Sequence, residues 1–419
     1  MTRNKGFREI PNRRKAVSLI GGGGGITLSI AAKPTTGMRH GLSVYLDLVR
    51  FLAAFGVFLS HAATFVLPTM PERISTNGPE CVAVFFVLSG FVIRFASLEK
   101  GETNWRVYFA ARSARIYSVA PIALVTAAVV TAIGQQIDPS AYLQTMNEMP
   151  QFNVIDAIKS GLFLNEIWFT HSVFASNEPY WSLGFEVPYY IFFAIIAFLR
   201  GNRRIVGALV WFLIFGLKIL AFLPLWWIGV LLYDALSKGR STNTKLGYMM
   251  IVASVLVYAV IKFGIHQNIH RMYDPTSAGD MLKGMLHFYI VGIAVAINFA
   301  GVSVVLGDSK LWNSTLTRAI RWIANGSFTL YLVHLPLLAL ARALDNSVKQ
   351  SSLHGIVAII AIMFLCYLIA ELGERRKRVF RDIANRVFRL QKGNYAASSK
   401  RVGTFGSLNE PSELGLPRQ

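Results

Sequence analysis

The chain has 419 residues, 53% hydrophobic and 15% charged, with a net charge of +20. Soluble domains are about 25% charged, so this composition excludes an ordinary soluble enzyme and indicates a polytopic membrane protein. The positive charge does not imply nucleic acid. It concentrates at the two ends, with eight Lys/Arg against one acid in 1–40 and eleven against four in 374–419, as expected of cytoplasmic segments beside anionic lipid. The two cysteines, Cys81 and Cys366, lie in apolar runs. They give neither a disulfide framework nor metal-ligand spacing, and no metal is predicted.

Residues 1–40 read as a basic, disordered cytoplasmic extension. The glycine run at 21–25 interrupts the only apolar stretch there, which argues against a signal-peptide core. Ten hydrophobic segments follow, near 44–66, 79–98, 116–134, 180–200, 204–219, 221–237, 245–265, 282–306, 324–344 and 353–373. Most approach the roughly 20 residues a crossing helix needs. The fifth and sixth are short, and a tight outer turn is predicted at Phe222-Leu223-Pro224. Loops 94–115, 200–204, 237–245 and 309–321 are rich in Lys and Arg, whereas 71–80 and 274–280 are not. This alternation predicts an all-α bundle of about ten transmembrane helices with both termini cytoplasmic. The domain expected is 41–374, with a longest outer loop at 135–179 that carries an interfacial helix over 155–169. A basic, largely disordered tail follows over 375–419.

The first segment contains DLVRFLAAFGVFLSH, residues 47–61. Asp47 and Arg50 stand at the i,i+3 spacing that permits pairing. Arg50 and His61 are eleven residues apart, which puts them on one helix face about 16 Å apart along the axis. Ionisable groups in a membrane helix are costly and usually face a protein interior or a wet cavity. Arg112 and Arg115 share a face just before the third segment, and arginine forks match phosphate geometry. They fit either a phosphorylated cytosolic molecule or ordinary positive-inside anchoring. Glu186 lies two turns into the fourth segment among Trp181, Ser182, Tyr189 and Tyr190. At a depth close to that of His61, it could tune the imidazole or pair an arginine. Ser89-Gly90 reads as close helix packing. Tyr331 and His334 sit one turn apart in the ninth segment, suited to packing or to lining a cavity. Gly307-Asp308-Ser309 imitates an esterase block, and Asn313-Ser314-Thr315 imitates a glycosylation sequon. Neither has the context its chemistry requires.

Together these stretches resemble the acyltransferase-3 family of integral-membrane acyltransferases, over about Tyr45 to Glu374. LDLVRFLAAFGVFLSH is similar to the family's first helix, CVAVFFVLSGFVI to its second, and ARSAR to its R-x-x-R. PYWSLGFEVPYY is similar to its W-S-L-x-x-E, and SFTLYLVHLPLL to its S-x-x-L-Y-L-x-H-x-P. The chain departs from the pattern at Ser118, at Val187, where many members carry a second glutamate, and at Arg375 after Glu374. The resemblance implies an acyl-CoA donor, usually acetyl-CoA, reached from the cytoplasm. It implies as acceptor a carbohydrate hydroxyl at the outer face of a bacterial inner membrane. His61 would then act as base or transient acyl carrier, with Glu186 as its partner. Arg50, Arg112 and Arg115 would hold donor phosphates or polarise the thioester, Asp47 would fix Arg50, and Trp181, Ser182, Tyr331 and His334 would support the site. Transfer of another acyl group such as succinyl, and transport of a glycan without chemistry, remain alternative readings.

Overall fold

A computed structural model describes residues 40–99, 102, 104–146, 148–239, 243–264, 278–306 and 313–390. The extension expected over 1–39, the tail from 391 onward, Gly307-Asp308-Ser309 and most of the 265–280 loop lie outside the described residues. Among the described residues the structure is helical, without a strand. In chain order, α1 spans His40–Phe65, α2 Glu72–Ser75, α3 Gly78–Glu99, α4 Trp105–Tyr117, α5 Ala120–Ile137, α6 Pro139–Met146, α7 Val154–Gly161 and α8 Leu183–Phe198. There follow α9 Asn202–Lys238, α10 Thr244–Gly264, α11 Ala278–Val305, α12 Ser314–Ala324, α13 Ser327–Leu344, α14 Ser352–Leu372 and α15 Lys377–Val387.

Nine stretches of the described residues are long and apolar enough to cross a bilayer. One of them, α9, is two helices joined at Gly216, which has φ 84° and ψ −174°. Contacts with α8 show that the chain reverses there. Going up, Gly207 faces Ile195 and Leu199, and Trp211 Nε1 donates to Pro188 O at 2.9 Å. Coming back, Tyr189 donates to Ile219 O at 3.1 Å, and Phe193 meets Trp226. The two halves of α9 therefore run in opposite directions and supply the fifth and sixth segments. The turn expected at Phe222-Leu223-Pro224 is corrected by this geometry, because Pro224 lies inside the returning helix. Proline is tolerated in a membrane helix when neighbours satisfy the backbone. Only glycine adopts the Gly216 conformation freely, and a Cβ there would strike Trp168, whose backbone N–H donates to Phe215 O at 2.9 Å.

The interior is organised around α13, which packs on α1, α5 and α14. Its Leu330, Leu332, Val333, His334 and Leu338 are fully buried. α1 and α13 run in parallel, since Arg50 reaches Ala324 O, at the end of α12 just before α13, while His61 reaches His334 within α13. This defines an arginine end and a histidine end of the bundle. α3 lies antiparallel to α1, with Gly56 facing Cys81 and Ser60 facing Gly78. Gly90 of α3 and Gly229 of α9 let the two backbones touch, because a Cβ on either would collide with the facing carbonyl. The small residue beside Ser89 thus has the packing role its sequence context predicts.

Two expectations in the connections differ from the structure. The interfacial helix over 155–169 ends at Gly161, and 162–177 is irregular, pinned by side-chain bonds instead. The tail predicted from 375 begins with a helix, α15, docked on α4. Asn313 of the false sequon caps α12, accepting from Leu316 N at 2.7 Å.

Candidate active site

At the histidine end, His61 Nδ1 lies 2.8 Å from His334 Nε2, and His334 Nδ1 lies 2.9 Å from Leu330 O. A carbonyl can only accept, so His334 Nδ1 carries the hydrogen. In the neutral ring Nε2 then accepts, and it can accept only from a hydrogen on His61 Nδ1. This chain leaves His61 Nε2 with a free lone pair, the form required of a base. His334 is fully buried, whereas His61 is half-buried. Tyr331 stands one turn before His334, their rings 6.4 Å apart. Ser182 donates to Pro179 O at 3.2 Å, within the 3-10 turn Glu178–Ser182 that leads into α8. Trp181 stacks edge-on against Phe86 and Phe185 and walls this region.

A second acid enters here. The charge of Glu178 acts on both His61 and Tyr331. Glu178 is held from the loop by His171, whose Nε2 lies 3.2 Å away while its Nδ1 lies 2.7 Å from Glu166. Lys218 closes the cluster, 2.6 Å from the other Glu166 oxygen. Hydrogen bonds to Glu166, then to Glu178, push the His171 pKa up to about 10. At neutral pH His171 is therefore an imidazolium that anchors Glu178 in place.

Glu186 sits deeper. It accepts from Ser89 Oγ at 2.9 Å and from the Tyr190 hydroxyl, and Ser89 Oγ accepts from Trp226 Nε1 at 3.1 Å. Two donors on one carboxylate make its burial tolerable. The α1–α3 pairing puts Ser89 level with residues 48–50, so this cluster lies at the depth of Arg50 rather than of His61. The charge of Arg115 interacts with Tyr190, Glu186, Glu374 and Asp47. Tyr331 feels both Glu186 and Glu178. These groups stand in order along the bundle axis as a polar track: Arg50 and Arg115 at one end, the Glu186 cluster near the depth of Arg50, then Tyr331 one turn before His334 and the histidine pair.

At the arginine end, Asp47 pairs with Arg50 at 2.9 Å, as the i,i+3 spacing predicts. Arg50, Arg115, Phe328, Glu374 and Lys377 line a crevice of about 10 Å³, room for about one water. The buried Nε atoms of Arg50 and Arg115 have no hydrogen-bond partner. Glu374 is fixed by Thr329 N and Oγ1, each at 2.9 Å.

The structure thus brings together His61 with His334 and Asp47 with Arg50, and sets Arg115 at the same crevice as Arg50. It does not bring Glu186 to His61. Arg112 also stands apart, because its guanidinium pairs with Glu102 at 2.6 Å, both groups buried, and lies over the Tyr108 ring. Glu178, Ser89, Tyr190, Glu374 and Lys377 join the site without having been singled out as chemical groups. Glu178 immediately precedes the PYWSLGFEVPYY stretch, Glu374 closes the expected domain, and Lys377 was read as tail. No group of three or more metal-ligating side chains occurs among the described residues.

A bundle of membrane-crossing helices with ionisable groups strung along its axis is an integral-membrane protein built for more than anchoring. Residues 43–371 match the model of the acyltransferase domain, Acyl_transf_3, so the chain belongs to the acyltransferase-3 family. It is also similar to the acyltransferase MdmB of Streptomyces mycarofaciens, with 30% identity over 157 residues. That match spans 35% of this chain and 37% of the relative, about a third of its length. No solved structure matches.

Proposed function

We propose that this acyltransferase moves an acyl group, most simply acetyl, from cytosolic acyl-CoA to a hydroxyl of an exported or cell-surface carbohydrate. The observation that carries the reading is a cationic crevice and a base-ready histidine about 16 Å apart along α1, with polar groups spaced between them. In this reading the arginine end faces the cytosol, with both termini there and the bundle in a bacterial inner membrane. The crevice admits one water, so donor phosphates would sit at its mouth against Arg50, Arg115 and Lys377. The narrow thioester arm would run inward along the track.

At the histidine end the acceptor O–H gives its proton to His61 Nε2 while its oxygen attacks the thioester carbonyl. The C–S bond breaks, and the departing thiolate takes that proton back from His61. His334 holds the His61 tautomer throughout, and the carboxylate of Glu178 eases the transient imidazolium. Glu186, Ser89 and Tyr190 line the path and position Arg115. The proposal takes His61 as a base in direct transfer, and an acyl-histidine would use the same Nε2 lone pair. Membership of an acyltransferase family supports chemistry over transport, and a succinyl donor would use the same groups.

The test is transfer from isotopically labelled acetyl-CoA in membranes that contain the protein and its native glycans, with the glycans read by mass spectrometry. Label in a glycan ester is the expected result. Absence of label from acetyl-CoA and from succinyl-CoA alike would overturn the proposal.

A further inference from the structure

The arginine end carries two short amphipathic helices whose apolar faces the protein covers only in part. In α15 the apolar residues form one continuous arc. Phe380, Ala384 and Phe388 occupy one half of it and pack against α4, meeting Ala110, Ala114, Trp105 and Phe109. Val379, Ile383 and Val387 form the other half, each about 40° around from the last. These three are exposed by 54%, 52% and 69%. The rest of the helix is polar, and 375–389 holds seven Lys/Arg against one acid. α12 repeats the arrangement. Thr317, Ile320 and Ala324 are buried, Leu316 and Trp322 are exposed, and Arg318 and Arg321 flank them. Arg375, in the turn that leads into α15, stacks over the Trp322 ring of α12 at 4.2 Å.

We propose that α12 and α15 lie in the membrane interface and bind anionic lipid, with the Val379-Ile383-Val387 ridge in the acyl-chain boundary and the arginines on lipid phosphates. Charge selects this occupant. A helix with an apolar ridge and a cationic polar face suits an anionic bilayer surface, and both helices sit directly beside the ends of the membrane-crossing helices α13 and α14. A protein partner would need acidic groups placed around the same ridge and is an outcome of the test. The proposal does not depend on the identity of donor or acceptor.

The test uses the full chain in nanodiscs. A nitroxide placed by Ile383→Cys should be accessible to oxygen and shielded from a water-soluble nickel relaxant. One placed by Asp382→Cys should show the reverse, and the unsubstituted protein controls for labelling of Cys81 and Cys366. Equal nickel accessibility at the two positions would put the ridge in water, and shielding of Ile383→Cys from oxygen and nickel alike would put it under another protein; either result would overturn the proposal. In parallel, Arg378→Gln with Arg381→Gln should lower the enrichment of anionic over zwitterionic lipid retained on purification, by up to roughly fivefold per arginine. A lipid complement unchanged from the unsubstituted protein would remove the anionic preference.

Discussion

His334→Ala is the substitution that most sharply separates a histidine pair from two independent histidines. It removes the acceptor of a 2.8 Å hydrogen bond and leaves the His61 Nδ1 hydrogen without its partner. An unsatisfied polar group at a buried site costs about 1–3 kcal/mol. If that cost appears as loss of the reactive His61 orientation, kcat falls by roughly 5- to 150-fold. His61→Ala removes the base itself and should cost roughly 10²–10⁴-fold. Because His334 acts only through His61, the double variant should be no slower than His61→Ala alone. The assay is acyl transfer in membranes at matched protein level, with the donor saturating. Multiplied losses in the double variant, or an unaffected His334→Ala, would refute the coupling.

The two arginines of the R-x-x-R should part company. Arg115→Ala should raise the apparent KM for the acyl-CoA donor about tenfold, the scale of one charge-assisted bond, with the fold intact. Arg112→Ala should instead lower protein level and melting temperature, since it breaks a buried ion pair by removing one partner, a loss on the order of 3–5 kcal/mol. Thermal unfolding in detergent, beside donor titration, checks both. Ser89→Ala should destabilise by about 1–3 kcal/mol by orphaning the Trp226 N–H, again read by melting. The loop ion cluster should respond to pH through His171. Its folded pKa is raised to about 10 against an ordinary 6.5. Its contribution is therefore complete below pH 6.5 and is lost as pH rises through about 10. Hydrogen exchange of 162–177 should accelerate across that upper range, and His171→Ala should exchange fast throughout.

Much of the fold was legible because crossing helices announce themselves by length and hydropathy. The Asp47–Arg50 pair and the Ser89-Gly90 contact were equally legible, since both rest on local spacing or side-chain size. The reversal at Gly216 was not. Proline stands out as a breaker in sequence, but inside a membrane helix neighbouring side chains compensate for Pro224, while the glycine that turns the chain looks like any other. Glu186 was assigned to His61 by counting residues from a helix end, which ignores the lead-in of the 3-10 turn and the relative shift of helices. The His61–His334 bond joins residues 273 positions apart in the chain, a separation beyond any periodicity. α15 was read as tail because its density of Lys and Arg reads as a cytoplasmic segment beside anionic lipid, although its apolar residues recur every four positions.

The measurement closest to the central claim is the rate of acyl transfer from labelled acyl-CoA by unsubstituted protein and by His61→Ala, at equal abundance in the same membranes. The account predicts ester-linked label with the former and a loss of at least about a hundredfold with the latter. Equal rates would contradict it, because the His61–His334 pair would then lie outside the reaction path.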